Sequence, residues 1–357
     1  MDAINGIPVI GIVAQLLEYL FNTAANPTVS VQVLFFATPL ILGAMCGIMN
    51  ERSGIVNIGI EGMMLMSAFV AFVAAGYAAY VLPTDALPVF GISLPLVVGV
   101  VAGCVTGVAV SALHAWLSIS VRTDQIISGT IINIAAAGVT GYLHRLIVTP
   151  NPGLGGAIFS DLPIPAGVAD IPVLGWIVTT LFKHGPITMS SIVIVVVLQI
   201  LLFRSRWGLR TRAVGEHPKA AETVGIDVIR VRYRNVLIGG VFAGLAGAWL
   251  TLEAQGHFQL GLTTGRGYIA LAAVIVGRWR PVGAFAAAIL FAAADALHIA
   301  LGIVPPTGDL AAVMNVIPGQ YYGALPYIVT IIVLAGFVGR SVGPAAVGQP
   351  YVREART

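Results

Sequence analysis

Few polar side chains fall inside the long apolar runs of this 357-residue chain, and their cost makes each one informative. On insertion scales a charged group at mid-membrane costs about 2.5–3.5 kcal/mol. Glu61 lies in the run Asn57-Ile-Gly-Ile-Glu61-Gly62, Asn133 in the middle of a second apolar run, and Glu253 at the end of a third. Asp295 and His298, three residues apart, fall on one face of a fourth. Read as helix, the first run puts Asn57 and Glu61 on one face at i, i+4. As a set, Asn57, Glu61, Gly62, Asn133 and Asp295 could line a path for a hydrophilic solute. Taken singly, each could serve instead as an interhelical hydrogen bond, worth about 0.6 kcal/mol on average.

Catalytic chemistry finds less support. His114, His144 and His257 sit near the ends of apolar runs, where an interfacial place suits them. No His, Cys, Asp or Glu set has metal-ligand spacing, and no HExxH or nucleophile-elbow pattern occurs, so no catalytic residue and no metal are expected. Cys46 and Cys104 lie in apolar runs and read as packing residues. The two lysines follow Phe182 and Pro218, so neither belongs to the Gly-Lys-Ser/Thr of a phosphate-binding loop. No cofactor is expected in this chain, and if ATP drives it, a separate subunit must hydrolyse the ATP.

The elements that would carry these residues are membrane spans. The chain is 58% hydrophobic and 9% charged, against about 25% charged in soluble domains. A soluble domain of ordinary size does not fit. The net charge of +3 gives no sign of nucleic-acid binding, since the basic residues lie between apolar segments. With roughly 20 apolar residues per crossing, the spans are 31–49, 55–80, 91–117, 124–148, 187–203, 235–255, 281–302 and 321–340. Residues 7–21 are short and either cross or lie along the interface; they contain Glu18 and lack the basic start of a cleavable signal. Residues 263–278 are short too, and Gly265 and Gly267 suggest a broken or re-entrant helix. The expected fold is therefore all-α, with eight to ten spans in one domain over 1–340.

One long polar segment interrupts this pattern, 204–234. Within it Pro218 can open a helix and Gly225 can stop one, which predicts about seven helical residues over Pro218–Val224. A helix that short is marginal alone in water, where roughly 12–15 residues are needed. Either a partner docks on it or it is an ordinary loop turn. Counting spans alternately from this loop puts fifteen basic residues on its side of the membrane: its own eight, Arg52, Arg122, Arg278, Arg280, Arg340, Arg353 and Arg356. Only Arg145, Lys183 and Arg266 fall opposite. The positive-inside bias makes the loop and the tail 341–357 cytoplasmic. The outer segment 150–186 is rich in Pro and Gly, with an apolar piece at Ile171–Phe182 expected to lie flat. Ser67–Phe72 weakly echoes Gly283–Ala288, as duplicated halves would.

Two segments together resemble a known family. Asn50-Glu-Arg-Ser-Gly-Ile-Val-Asn-Ile-Gly-Ile-Glu-Gly-Met-Met64 resembles the signature of bacterial ABC-transporter permeases of the nucleoside and simple-sugar type, within the branched-chain amino-acid and ribose permease family. Arg212-Ala-Val-Gly-Glu-His-Pro-Lys-Ala-Ala-Glu-Thr-Val-Gly-Ile226 looks like that family's coupling loop, and Gly267–Trp279 with Pro281 and Gly283–Phe285 is similar to a third recurring segment. His217 stands where the family more often has Asn, and could still cap the helix. The resemblance implies a permease without its own ATPase site, working by alternating access in the bacterial inner membrane. Its implied partners are ATPase subunits, a second related permease (the same chain or a different one), an extracytoplasmic solute-binding protein and membrane lipid. It assigns Gly215, Glu216, His217, Pro218, Ala221 and Gly225 to coupling with the ATPase, and it places Asn57, Glu61 and Gly62 near the path. It favours a nucleoside as solute, then a sugar, then a branched-chain amino acid. A secondary transporter or channel is the rival, and would need no docking helix.

Overall fold

A computed structural model describes residues 15–352, apart from 17, 20, 24, 86, 88–89, 156, 170, 172, 304–305, 307, 315–318 and 338–340. Most of the possible span 7–21, and the end of the span 321–340, lie outside the described residues. Helix α1 (Pro27–Glu51) is capped by Asn26, and α2 (Ile60–Val81) follows an irregular link. Next come α3 (Leu94–Ala115), α4 (Gln125–Leu143), a short α5 (Leu174–Phe182) and α6 (Pro186–Arg204). Two helices fill the polar segment, α7 (Arg206–Glu216) and α8 (Pro218–Thr223), and α9 (Val228–Trp249) re-enters the apolar layer. The chain then forms α10 (Arg266–Val276), α11 (Pro281–Ile303) and α12 (Leu325–Ile332). α3, α4, α9 and α12 each continue into a π-helical turn.

Six of these helices, counted with their π turns, are long and apolar enough to cross a membrane: α1, α2, α3, α4, α6 and α9. This is a multi-pass membrane protein. α1 and α9 are the most enclosed, and α9 packs on α1, α2 and α3. That centrality follows from small residues. Gly107 on α3 faces Gly240 on α9 so closely that a Cβ on Gly107 would stand 2.3 Å from the Gly240 carbonyl oxygen. Where lipid is as apolar as Leu, such backbone approach is what van der Waals packing between helices requires.

The segment expected to be broken is broken. Residues 256–265 turn without forming a helix, with positive φ at Gly256, Gly261, Thr264 and Gly265. Only then does α10 begin, and its 11 residues rise about 16 Å, half of a roughly 30 Å hydrocarbon core. One end of the bundle gathers the arginines. There Arg52, Arg212 and Arg280 stand 5.5, 5.1 and 5.8 Å from the centroid of the Phe203 ring. This is the basic end of the bundle.

Candidate functional site

The polar segment holds two helices at the basic end. Ser205 caps α7, its hydroxyl accepting the Gly208 N–H at 3.1 Å. α7 ends where His217 turns extended (φ −139°, ψ 79°), and Pro218 then opens α8. Gly225, at φ 82°, closes the segment where an L side chain would be strained. Gly215 is needed for another reason: a Cβ there would meet the Arg52 carbonyl oxygen at 2.3 Å. Ala221 is 4% exposed in a small apolar cluster with Val214, Val228, Val231 and Tyr351. Glu216 accepts the Ala345 N–H at 3.1 Å.

One expectation fails here. The His217 imidazole makes no capping bond; the residue's own carbonyl accepts the Ala221 N–H at 3.0 Å instead. Capping suits short side chains such as Asn, and the bulkier ring stays exposed. Around this element burial pushes the Arg52 guanidinium below its ordinary value, opposed by Glu216 and reinforced by the positive Arg212 and Arg280.

The path candidates divide into two groups. Glu61, at the start of α2, accepts the N–H groups of Gly265 (2.8 Å) and Gly267 (2.7 Å), so its carboxylate sits on the first turn of the half-helix α10. Asn133 on α4 accepts the Gly62 N–H at 2.7 Å and donates to the Ile58 carbonyl (3.0 Å) and the Tyr268 hydroxyl (2.9 Å). Glu61, Gly62, Asn133 and Tyr268 thus form one polar junction of α2, α4 and α10. Asn57 is fully buried and accepts the Gly59 N–H at 3.0 Å. It does not share a helical face with Glu61, because α2 begins only at Ile60 and this local Asx bond takes the place of a helical turn. Asp295 is half-buried on α11, whose chief neighbours are α1, α10 and α12. The His298 side chain lies outside the described residues.

A family model described as "Branched-chain amino acid transport system / permease component" matches residues 29–334, which hold both the junction and the α7–α8 element. The chain belongs to this family. The permease is 38% identical over 330 residues to the guanosine ABC transporter permease protein NupQ of Bacillus subtilis (strain 168), covering 90% of this chain and 96% of that one. It is 34% identical over 326 residues to the nucleoside ABC transporter permease protein NupC of Lactococcus lactis subsp. cremoris (strain MG1363), covering 90% and 95%. A third relative, the guanosine ABC transporter permease protein NupP of Bacillus subtilis, is 28% identical over 257 residues, covering 71% and 68%.

Three parts of the permease escaped sequence reasoning. Helix α7 has no counterpart among the sequence expectations, although Ser205 three residues before Gly208 is a usable capping signal. Tyr268 joins the polar junction through a contact 135 residues long, which no local pattern announces. The third part is the seating of the tail on α7 and α8. The Ala346 N–H donates to the Gly215 carbonyl (2.9 Å), the Gly348 N–H to the Gly54 carbonyl (3.2 Å), and the Tyr351 hydroxyl to Glu222. Arg232 donates to the Gln349 carbonyl at 3.1 Å. Between the tail and α8 lies a groove of about 810 Å³, with Glu216, Lys219 and Ala220 on one side and Ala345, Gln349 and Val352 on the other.

Proposed function

We propose that this permease is the membrane subunit of an ATP-driven importer that moves a nucleoside by alternating access. The single observation that carries the coupling half of this reading is α8. Its six residues are too few to stand alone in water, yet they are held by Gly215, Ala221 and the tail with Lys219, Ala220 and Val224 turned to solvent. A surface built this way, beside the ends of α1 and α9, suits a partner that pushes on it. The ATPase is that partner, and Gly215, Glu216, His217, Pro218, Ala221 and Gly225 form its coupling element. The basic end is cytoplasmic, as the fifteen-to-three distribution of Lys and Arg favours. The C-terminus then lies inside, and the bacterial inner membrane is the setting.

The nucleoside reading is supported by the names carried by NupQ and NupC, each matched over almost its whole length. NupQ and NupP come from one organism and both resemble this chain, which favours a second, related permease as partner. An extracytoplasmic binding protein delivers the solute. The junction of Glu61, Gly62, Asn133 and Tyr268 is the mid-membrane part of the path, since discontinuous helices mark solute sites in transporters. The test is uptake of radiolabelled guanosine by cells expressing the whole transporter, with unlabelled nucleosides, ribose and leucine as competitors. Competition by nucleosides alone is expected, and competition by ribose or leucine alone would refute the solute. Glu216→Ala with Pro218→Ala should abolish ATP-dependent uptake, and intact uptake would refute the coupling role.

A further inference from the structure

We propose that the permease carries a binding site for one anionic phospholipid between α6 and α9 at the basic end. A groove of about 470 Å³ runs there between two membrane-spanning helices. On α6 its wall is Val193, Val197 and Leu201, four residues apart and 60%, 45% and 39% exposed. On α9 the facing wall is Arg234, Ile238 and Phe242 at the same spacing. Eight residues of helix rise about 12 Å, against roughly 15 Å for the hydrocarbon of one leaflet. The length suits one end of one acyl chain.

The groove changes character at the basic end. Trp207 closes it, with the Arg234 guanidinium 5.6 Å from its ring centroid. Arg210 is exposed three residues after Trp207 on α7, the spacing that puts both on one face of the helix. Among the described residues neither guanidinium meets a carboxylate; the ion pair of this region joins Arg230 to Asp227. Arg234 in the mouth of an apolar slot, with Arg210 on the face of α7 that carries Trp207, matches an amphiphile with an apolar tail and an anionic head. Guanidinium binds phosphate through paired hydrogen bonds, and Trp favours the level of the headgroups. Basic pockets between spans on the cytoplasmic side are a known way of holding anionic headgroups. A choline or ethanolamine head would bring a second cation towards Arg210 and Arg234, which selects phosphatidylglycerol over zwitterionic lipids. The site is independent of which solute is carried, and it ties α7, through Trp207 and Arg210, to the inner leaflet.

Native mass spectrometry of the complete transporter tests this, with phosphatidylglycerol and phosphatidylcholine of identical chains added to detergent. Preferential retention of phosphatidylglycerol is expected. Arg210→Gln and Arg234→Gln should each lower it about fivefold, the factor for roughly 1 kcal/mol per basic residue near a membrane surface. Val197→Trp, which fills the slot, should reduce retention of both lipids; if that variant fails to assemble, Val197→Phe serves. Equal retention of the two lipids, or unchanged retention in Arg234→Gln, would overturn the proposal. Displacement by millimolar inorganic phosphate would overturn it in favour of a free anion. Crosslinking of Val197→Cys to a neighbouring permease in native membranes would also overturn it, by showing that protein covers this face.

Discussion

At the scale of single residues, two carboxylates of the apolar layer, Glu61 and Glu253, serve as helix caps. Glu61 sits on the first turn of α10. Glu253 does the same for α6, accepting the Ile187 N–H at 2.7 Å and the Thr188 N–H at 3.0 Å, with the Thr188 hydroxyl also bound. A helix N-terminus offers unpaired N–H groups and a partial positive charge, so a carboxylate there is partnered without a counter-ion. Thr188 extends the network by accepting the Trp249 indole N–H at 2.9 Å and the Thr38 hydroxyl at 3.0 Å. Glu253 is 5% exposed, and a hydrogen bond to a charged group contributes about 1.5–3 kcal/mol. Glu253→Ala should therefore destabilise the permease by about 3 kcal/mol, read as a fall in the detergent melting temperature. Glu253→Gln, which keeps an acceptor, should lose less, and equal losses in the two variants would contradict the capping role. The presence of these carboxylates was legible in the sequence. Their partners were not, because Glu61 and Gly265 are separated by 204 residues and no periodicity links them.

At the scale of elements, α8 and the tail behave as one unit. Tyr351 is 8% exposed, packs with Ala221 and Val228, and lies 5.9 Å under the Arg232 guanidinium. Tyr351→Ala removes the ring that joins tail, α8 and α9. Local opening of α8 should become easier by about 1.4 kcal/mol or more, a tenfold rise in hydrogen exchange over residues 214–223. Tyr351→Phe keeps the ring and loses the bond to Glu222, so its exchange should fall between the two. Unchanged exchange in Tyr351→Ala would mean that the tail merely rests on α8. The limits of α8 itself were legible, because Pro218 and Gly225 act through local backbone geometry. The break before α10 was legible for the same reason, through Gly265. The seating of the tail was not, since Pro344, Gly348 and Pro350 give no apolar period and their partners lie far back in the chain.

At the scale of the whole molecule, asymmetry of charge and asymmetry of structure coincide. The arginines gather where α7, α8 and the tail lie, while the Pro- and Gly-rich segment before α6 meets the far end of α9, the Phe159 N–H donating to the Leu252 carbonyl at 2.8 Å. Single cysteines at Arg210 and Lys183, in a background with Cys46 and Cys104 replaced by Ser, should report the orientation. In intact cells an impermeant maleimide should label Lys183→Cys and spare Arg210→Cys until the membrane is opened. The reverse pattern would invert the topology and remove the basis for an ATPase at α8. The tail also has a consequence in time. Its contacts with Glu216 and Glu222 each reach back 129 residues, and a ribosome adding about 5–20 residues per second needs roughly 6–26 s to cover that distance. For that interval α7 and α8 are already made while the tail segment that closes over them has yet to be synthesised, so the α7–α8 surface takes its final form only once the tail has emerged.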